Sequence, residues 1–461
     1  MKKALLVLAA LVVLPALASA QSEPTALDER AAELRDAALA DDTLAWELVE
    51  ALTTEVGPRL AGTEAEARAR DWAVRRLTEL GFSNVRVEPF DLPVWVRGEE
   101  RAEIVSPFPQ PLVLTALGNS GATPPGGLEA EVVGFDSVAA LEAAGDEAVR
   151  GKIVFVTHAM PRTQDGSAYG QFGAPRSRGP SIASRKGAAA IVVRSIGTDY
   201  HRNPHTGVQS WADGARPIPA AALSIPDAEQ LRRILDRAEG PVRMRLVLTP
   251  RNIGIRASGN VIAEVPGRDA DAGTVLIGGH LDSWDLGTGA FDNAAGVAIT
   301  TAAAHRIMRA GPPRRTIRLV LFGAEEVGLF GGRTHFERNR ERGDVALVSE
   351  SDFGADRIWR VDFGLSPANA ALADRVHALL APLGIVRGRD PAGAGADLGA
   401  WARAGFAAID LNQDGTRYFD YHHTPDDTLD KVDPAQLRQN VAAWTAMLYA
   451  VANAPEEIER R

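Results

Sequence analysis

The chain contains no cysteine, which excludes disulfide bonds, a thiolate nucleophile and cysteine-bound metals. Any metal site must therefore use histidine and carboxylate ligands. Basic residues are fewer than acidic ones, 50 against 60, and the formal net charge of -10 argues against a nucleic-acid partner. Beyond the first twenty residues, no segment has the roughly 18 or more apolar residues of a membrane span.

Two enzyme motifs are also missing. No Gly-x-Ser-x-Gly sequence occurs, so the chain lacks the nucleophile elbow of many serine hydrolases. The turn Gly287-Thr288-Gly289 does not complete a dinucleotide-binding fingerprint, because Asp292 stands where the third glycine belongs.

The first residues have the pattern of a targeting segment. Lys2 and Lys3 precede an apolar run over residues 4–18, and Ala18-Ser19-Ala20 is a small-residue cleavage site. This predicts a signal peptide over residues 1–20, removed near Ala20-Gln21, and an exported protein that is periplasmic or extracellular.

The remaining chain, about 440 residues, exceeds the usual size of one domain. Residues 111–250 are richer in glycine and proline breaks, with short strands and helices between them, and predict a smaller inserted α/β domain. Residues 21–110 and 251–461 form the main α/β domain in this interpretation. A strand is predicted over residues 84–88, with Pro89 at its end.

Polar side chains follow four predicted strands of the main domain. They are His280, Asp282 and Asp292 after residues 275–277, Glu325-Glu326 after 316–322, Glu350-Ser351-Asp352 after 345–348, and His422, His423 and Asp427 after 406–411. Loops at the carboxyl ends of parallel strands meet at one edge of the sheet. Any one such loop is also explained by acids that cap the next helix.

Four such loops together favour a metal site. Converging carboxylates repel each other unless a cation or shared protons neutralise them, and the histidines favour a metal. The imidazole of His280 suits zinc, and Asp282 is placed to hold its other ring nitrogen. Glycines such as Gly287 and Gly289 allow the turn that returns Asp292 to His280. The insert's His158, His201 and His205 lack an acid at ligand spacing, so we expect surface or core histidines there.

These residues resemble a known family. The set His280-x-Asp282, Asp292 after a glycine-rich turn, Glu325-Glu326, Glu350-Ser351-Asp352 and His423-x-x-x-Asp427-Thr428 is similar to the co-catalytic di-zinc exopeptidases that include bacterial leucyl aminopeptidases. Residues 204–209, with Asp213-Gly214 and Ile218-Pro219, resemble the protease-associated domain of that family. The resemblance implies a mixed, mostly parallel sheet flanked by helices, with the inserted domain.

The resemblance also implies the roles of individual residues. Two zinc ions, or other divalent metals, would be held by His280, Asp292, Glu326, Asp352 and His423. Asp292 would bridge them, Glu325 would be the general base, and Asp282 would assist catalysis beside His280. The family's ligand stands four residues before the Asp-Thr pair, which favours His423 over its neighbour His422. The assignment of ligands to individual ions stays open.

Three further expectations come from the resemblance. The peptide bond after Asp292 would be cis, although relatives often have Asp or Gly where Asn293 stands. Asp397 would line the substrate pocket, or else cap a helix N-terminus. The chain would form a homodimer.

The implied activity is that of an exopeptidase that releases amino acids from dipeptides or short peptides with a free N-terminus. Aminopeptidase and carboxypeptidase action both fit this chemistry. The alternatives are a glutaminyl cyclase-type transferase with one zinc, or an inactive receptor-like binding protein on the same fold. The complete ligand set argues against both.

Overall fold

Residues 25–461 are described by the computed structural model, so the predicted signal peptide at residues 1–20 lies outside the described residues. The strands are β1 Ser83–Val96, β2 Glu100–Ser106, β3 Gln110–Leu112, β4 Leu114–Ala116, β5 Leu128–Phe135, β6 Ile153–Val156, β7 Ala190–Arg194, β8 Ala220–Leu223, β9 Arg243–Leu248, β10 Arg251–Val265, β11 Thr274–His280, β12 Thr316–Phe322, β13 Val345–Glu350, β14 Ile358–Gly364, β15 Val386–Arg387 and β16 Ala407–Gln413.

The α-helices cover the sheets that these strands form. They are α1 Ala26–Asp41, α2 Leu44–Ala51, α3 Glu64–Glu79, α4 Val138–Ala143, α5 Asp146–Val149, α6 Ser167–Phe172, α7 Ala174–Ser177, α8 Gly179–Arg185, α9 Ile225–Arg237, α10 Ala295–Ala310, α11 Phe330–Asn339, α12 Ala370–Leu380, α13 Gly399–Arg403, α14 Tyr418–Tyr421 and α15 Pro434–Asn453. Among residues 25–461, none of the helices is both long and apolar enough to span a membrane.

The sheet of the main domain is mixed, as the resemblance implies. Its strand order is β1-β10-β12-β11-β13-β16-β14-β15. The four central strands β12, β11, β13 and β16 pair in parallel, and antiparallel pairings to β10 and β14 flank them. The predicted α/β fold class is confirmed, and the loops after the four central strands share one edge of the sheet.

Helices pack on both faces of this sheet, which explains why its central strands are almost wholly apolar. Val275 and Ile277 of β11 face a core that includes α10 and α15, whereas Leu276 faces a second core with Trp401 of α13. Alternate residues of a strand point to opposite faces. Burial of each such side chain contributes about 1.5–3 kcal/mol to the stability of the fold. The sheet is therefore a rigid frame for the loops at its edge.

The structure corrects the predicted end of the first strand. β1 continues through Pro89 and Pro93 to Val96, and it pairs antiparallel with β10 along this length. Proline lacks the amide that a central strand needs, but it is tolerated where one side of a strand has no partner. β1 is the edge strand of its sheet, so its prolines remove few of the hydrogen bonds between strands.

Residues of the insert form a second sheet, with the order β3-β2-β9-β5-β6-β7-β8-β4. β2 belongs to this sheet, although it lies before residue 111, where the inserted domain is predicted to begin. The chain leaves and re-enters the main domain side by side: the Glu99 amide donates to Thr249 Oγ1 at 2.8 Å, and the Thr249 amide donates to the Glu99 carbonyl at 3.0 Å. The identification of this unit as a protease-associated domain stays a prediction.

Candidate metal centre

His280 is the last residue of β11, so its ring projects from the edge of the sheet. Its Nε2 lies 3.0 Å from Oδ1 of Asp292 and 3.1 Å from Oδ1 of Asp352. Its Nδ1 lies 3.0 Å from the main-chain oxygen of Asp282. A ring nitrogen held by an acceptor fixes the tautomer, which leaves Nε2 free to act as a ligand.

Asp292 lies in a turn whose backbone is held by Asp427. The Asp427 carboxylate accepts the backbone amides of Phe291 at 2.6 Å and of Asp292 at 3.1 Å. Gly289, at the start of this turn, has a φ of 62°, the left-handed region that favours glycine. The peptide bond between Asp292 and Asn293 is cis, as the resemblance implies.

The two carboxylate oxygens of Asp292 face different partners. While Oδ1 points at His280, Oδ2 lies 3.4 Å from Nε2 of His423. That His423 nitrogen is also 2.9 Å from Oε2 of Glu326. The five side chains predicted as ligands therefore converge, and Asp292 stands between the other four.

Asp282, whose part in catalysis stays a prediction, holds His280 through its main-chain oxygen. Its carboxylate is 3.6 Å from His280 Nδ1, too far for a good hydrogen bond, and the ring is held by the main-chain oxygen instead. The carboxylate accepts the backbone amides of Glu325 at 3.0 Å and Glu326 at 3.3 Å. Asp282 therefore fixes the turn that follows β12, on which both glutamates stand.

His422 and His423 lie beside each other, with their rings stacked at a centroid distance of 3.4 Å. Nε2 of His422 is 3.6 Å from Oδ2 of Asp292, so this histidine also borders the cluster. Only His423 is close to Glu326 as well. Burial, followed by the charge of His423, holds the pKa of His422 well below its usual range.

Asp397 contacts helix α11, which follows the turn that carries Glu325 and Glu326. Its side chain is buried, and Oδ1 accepts the amide of Gly332 in the first turn of α11 at 3.1 Å. It does not cap the helix that follows it, since Leu398 occupies the capping position of α13. Burial, and then the negative charge of Glu325, raise its pKa well above the usual range.

Burial and repulsion raise the pKa of the two glutamates after β12. Burial also acts to raise the pKa of Asp292, but hydrogen bonds from His280 and His423 outweigh it and hold that pKa well below its usual range. Burial, followed by the charge of Asp292, raises the pKa of Glu326 well above its usual range. Burial also raises the pKa of Glu325 well above that range, although His280 opposes the effect. Burial lowers the pKa of His280, but Asp352 and the other acids outweigh it and raise that pKa well above 6.5. The cluster thus carries more negative charge than its histidines neutralise.

A metal cation fits this arrangement. One ligand atom each from His280, Asp292 and Asp352 lies within 4.8 Å of the others, and the same holds for Asp292, His422 and His423. Oε1 of Glu326 is buried and has no hydrogen-bond partner among residues 25–461. A buried carboxylate oxygen without a donor is costly unless a cation compensates it. Nitrogen and oxygen donors in such a cluster are typical of zinc sites.

Arg59 belongs to the surroundings of the site, although the sequence does not predict it there. Its fully buried guanidinium donates to the carbonyls of Leu281 at 2.5 Å, Thr288 at 2.6 Å and Gly289 at 2.9 Å. Burial lowers its pKa to about 10, so it remains a cation at neutral pH. No spacing rule links residue 59 to a loop more than two hundred residues later, so the sequence carried no signal for this role.

Comparisons with known proteins agree with the geometry. A family model described as peptidase family M28 matches residues 260–448. Carboxypeptidase Q from Bos taurus, the kind of exopeptidase that the motifs of this chain resemble, is 34% identical over 417 residues, which cover 90% of this chain and 86% of that protein.

Solved structures have the same fold. A peptidase M28 precursor from Shewanella amazonensis SB2B is 44% identical with a TM-score of 0.91, and the match covers 94% of this chain and 98% of that chain. BSAP, a zinc aminopeptidase from Bacillus subtilis, shares the fold at 19% identity and a TM-score of 0.66, over 90% of this chain and 96% of that chain. The chain belongs to peptidase family M28 and is a metallo-exopeptidase.

Proposed function

We propose that the chain is a two-zinc exopeptidase that hydrolyses the peptide bond of dipeptides or short peptides with a free N-terminus. The observation that carries this proposal is the position of Asp292, whose Oδ1 faces His280 and whose Oδ2 faces His423. A carboxylate in this position is suited to bridge two cations. The zinc aminopeptidase that shares the fold supports zinc as the metal.

The contacts support one assignment of ligands. His280, Asp352 and Oδ1 of Asp292 would hold one ion. Nε2 of His280 lies 3.0 Å from Oδ1 of Asp292 and 3.1 Å from Oδ1 of Asp352. His423, Glu326 and Oδ2 of Asp292 would hold the second. When bound, two zinc ions polarise a scissile carbonyl and lower the pKa of water to about 7.

The adjacent glutamates would have different roles, Glu326 as a metal ligand and Glu325 as the general base. Glu326 is buried and lies against His423, as expected of a ligand, whereas Glu325 is partly exposed. Glu325 would accept the proton of the attacking water and return it to the leaving amine, as a general base and then an acid. Asp282 supports this division because it holds both backbone amides of the turn.

The surroundings of the site favour short substrates. The Trp284 ring lies 5.8 Å from the His423 ring and packs with the core of the second sheet. The insert thereby closes one side of the centre. A centre that is closed on one side limits how far a peptide can extend past it, which would place only the terminal peptide bond at the centre.

Export is part of the same proposal, because Lys2, Lys3 and the apolar run over residues 4–18 are typical of a signal peptide. Cell fractionation with N-terminal sequencing tests it. A mature chain that begins near Gln21 outside the cytoplasm is expected, and a cytoplasmic chain that retains Lys2 would contradict export. The homodimer implied by the resemblance stays a prediction.

Metal analysis combined with product identification tests the catalytic proposal. We expect two zinc ions per chain, cleavage of unblocked dipeptides, loss of cleavage with a chelator, and no cleavage of N-acetylated dipeptides. Cyclisation of an N-terminal glutamine without hydrolysis, and with one zinc, would support the transferase alternative. Zinc binding without chelator-sensitive cleavage of any dipeptide in a panel would support the receptor-like alternative.

A further inference from the structure

The segment of the insert at residues 204–209 is not explained by the ligand set, yet it lies against the metal centre. His205 is buried, and its Nε2 lies 2.7 Å from Oδ1 of Asp199, whose side chain is 1% exposed. Its Nδ1 lies 2.8 Å from the main-chain oxygen of His422, 217 residues later in the sequence. A residue of the insert therefore contacts the backbone beside the proposed ligand His423.

Both ring nitrogens of His205 face acceptors, a carboxylate on one side and a carbonyl on the other. The ring is therefore oriented from two sides, by the Asp199 carboxylate and by the His422 backbone. The position is built to hold this ring, since a Cβ on Gly197 would lie 2.3 Å from it. The backbone amide of His205 also donates to Ser195 Oγ at 2.9 Å.

The next residue extends the contact to His423 itself. The Thr206 amide donates to the His423 carbonyl at 3.0 Å, and Nδ1 of His423 lies 3.3 Å from the Thr206 carbonyl. His423 has a φ of 61°, a left-handed conformation that few residues other than glycine adopt. Such a conformation persists only where the surroundings hold it, and here the insert supplies hydrogen bonds on both sides of the residue.

We propose that His205 and Asp199 are positioning residues of the metal centre, which hold the backbone at His422 so that Nε2 of His423 faces Asp292 and Glu326. The insert is then part of the catalytic centre. This inference rests on the proposed zinc function. Partners that orient a metal ligand typically change metal affinity by 10–100-fold when they are removed.

The test uses the full chain and zinc alone as the probe. Chelator competition measures zinc affinity for the wild type, His205→Ala and His205→Gln, and thermal unfolding of the metal-free proteins measures folding separately. We expect a 10–100-fold loss of zinc affinity for H205A. We expect partial rescue by H205Q, because the glutamine amide can still donate to the His422 carbonyl.

A matched control lies in the same loop. The side chain of His201 is 63% exposed, so His201→Gln is expected to bind zinc as the wild type does. Wild-type zinc affinity in the folded H205A and H205Q proteins, with only a lower unfolding temperature, would overturn the proposal and assign His205 a purely structural role. A wild-type protein that binds no zinc would instead overturn the proposed function, and this inference with it.

Discussion

Asp427 holds Asp292 through the backbone: its carboxylate accepts the Asp292 amide at 3.1 Å, and it accepts the preceding amide of Phe291 at 2.6 Å. The side chain of Asp292 is thereby left free to face both His280 and His423. The last loop of the domain fixes the turn that carries the proposed bridging ligand.

Replacement of Asp427 by asparagine is expected to weaken zinc binding by about tenfold, because one oxygen acceptor for the two amides is lost. Chelator competition measures this effect. Asp430→Asn is the control, since Asp430 belongs to the same loop but its side chain is 69% exposed. Equal zinc affinity for both variants would show that the turn holds its shape without Asp427.

Arg59→Met is expected to lower the free energy of unfolding by about 3 kcal/mol or more. The substitution keeps most of the side-chain length, but it removes the Arg59 donor from the carbonyls of Leu281 and Thr288. The Gly289 carbonyl loses one of two donors, because it also accepts the Ala294 amide at 3.0 Å. Urea unfolding of the metal-free protein measures the change. Arg243→Met is the control because its side chain is 46% exposed, and its effect is expected to stay within about 0.5 kcal/mol.

The sequence predicted the parallel strands and their loops because strands that are buried on both faces appear as continuous apolar runs. β12, for example, has the predicted limits Thr316–Phe322. The convergence of His280, Asp292 and Asp352 was predictable for the same reason, since each lies at or after the end of a strand, and these strands end at the same edge of the sheet.

The contacts that orient those side chains were not predictable from the sequence. Asp282 offers its main-chain oxygen to His280 and its carboxylate to the next turn, and residue spacing cannot separate these two acceptors. Arg59 and His205 meet their partners across domains or across two hundred residues. Such partners are set by tertiary packing and leave no local pattern in the chain.

Glu88 is expected to contribute acid-sensitive stability. Burial raises the pKa of this carboxyl, but hydrogen bonds from His335 and from Asn260 and Asn339 outweigh it and lower the pKa to about 2. A group with a lowered folded-state pKa stabilises the fold above its unfolded pKa, near 4.5, and loses that contribution as the pH falls towards 2.

Glu88→Gln is therefore expected to cost about 2–3 kcal/mol near neutral pH and progressively less between pH 5 and pH 2. Urea unfolding of wild type and variant over this range gives the difference in unfolding free energy. Glu341→Gln is the control, because that side chain is 88% exposed and should show no such trend. A difference that stays constant with pH would mean that the charge of Glu88 does not stabilise the fold.

The paired glutamates after β12 provide the sharpest test of roles. Glu325→Gln is expected to keep zinc and lose turnover by about 10²–10⁴-fold, because the amide cannot accept the proton of the attacking water. Glu326→Gln is expected to lose zinc from one site, since the Oε2 that faces His423 at 2.9 Å becomes part of a neutral amide. Metal analysis and steady-state kinetics on the same preparations separate the two effects. If E325Q lost zinc while E326Q kept it, the two residues would have exchanged roles, and Asp282 would orient a ligand and a base in the reverse order to the one proposed.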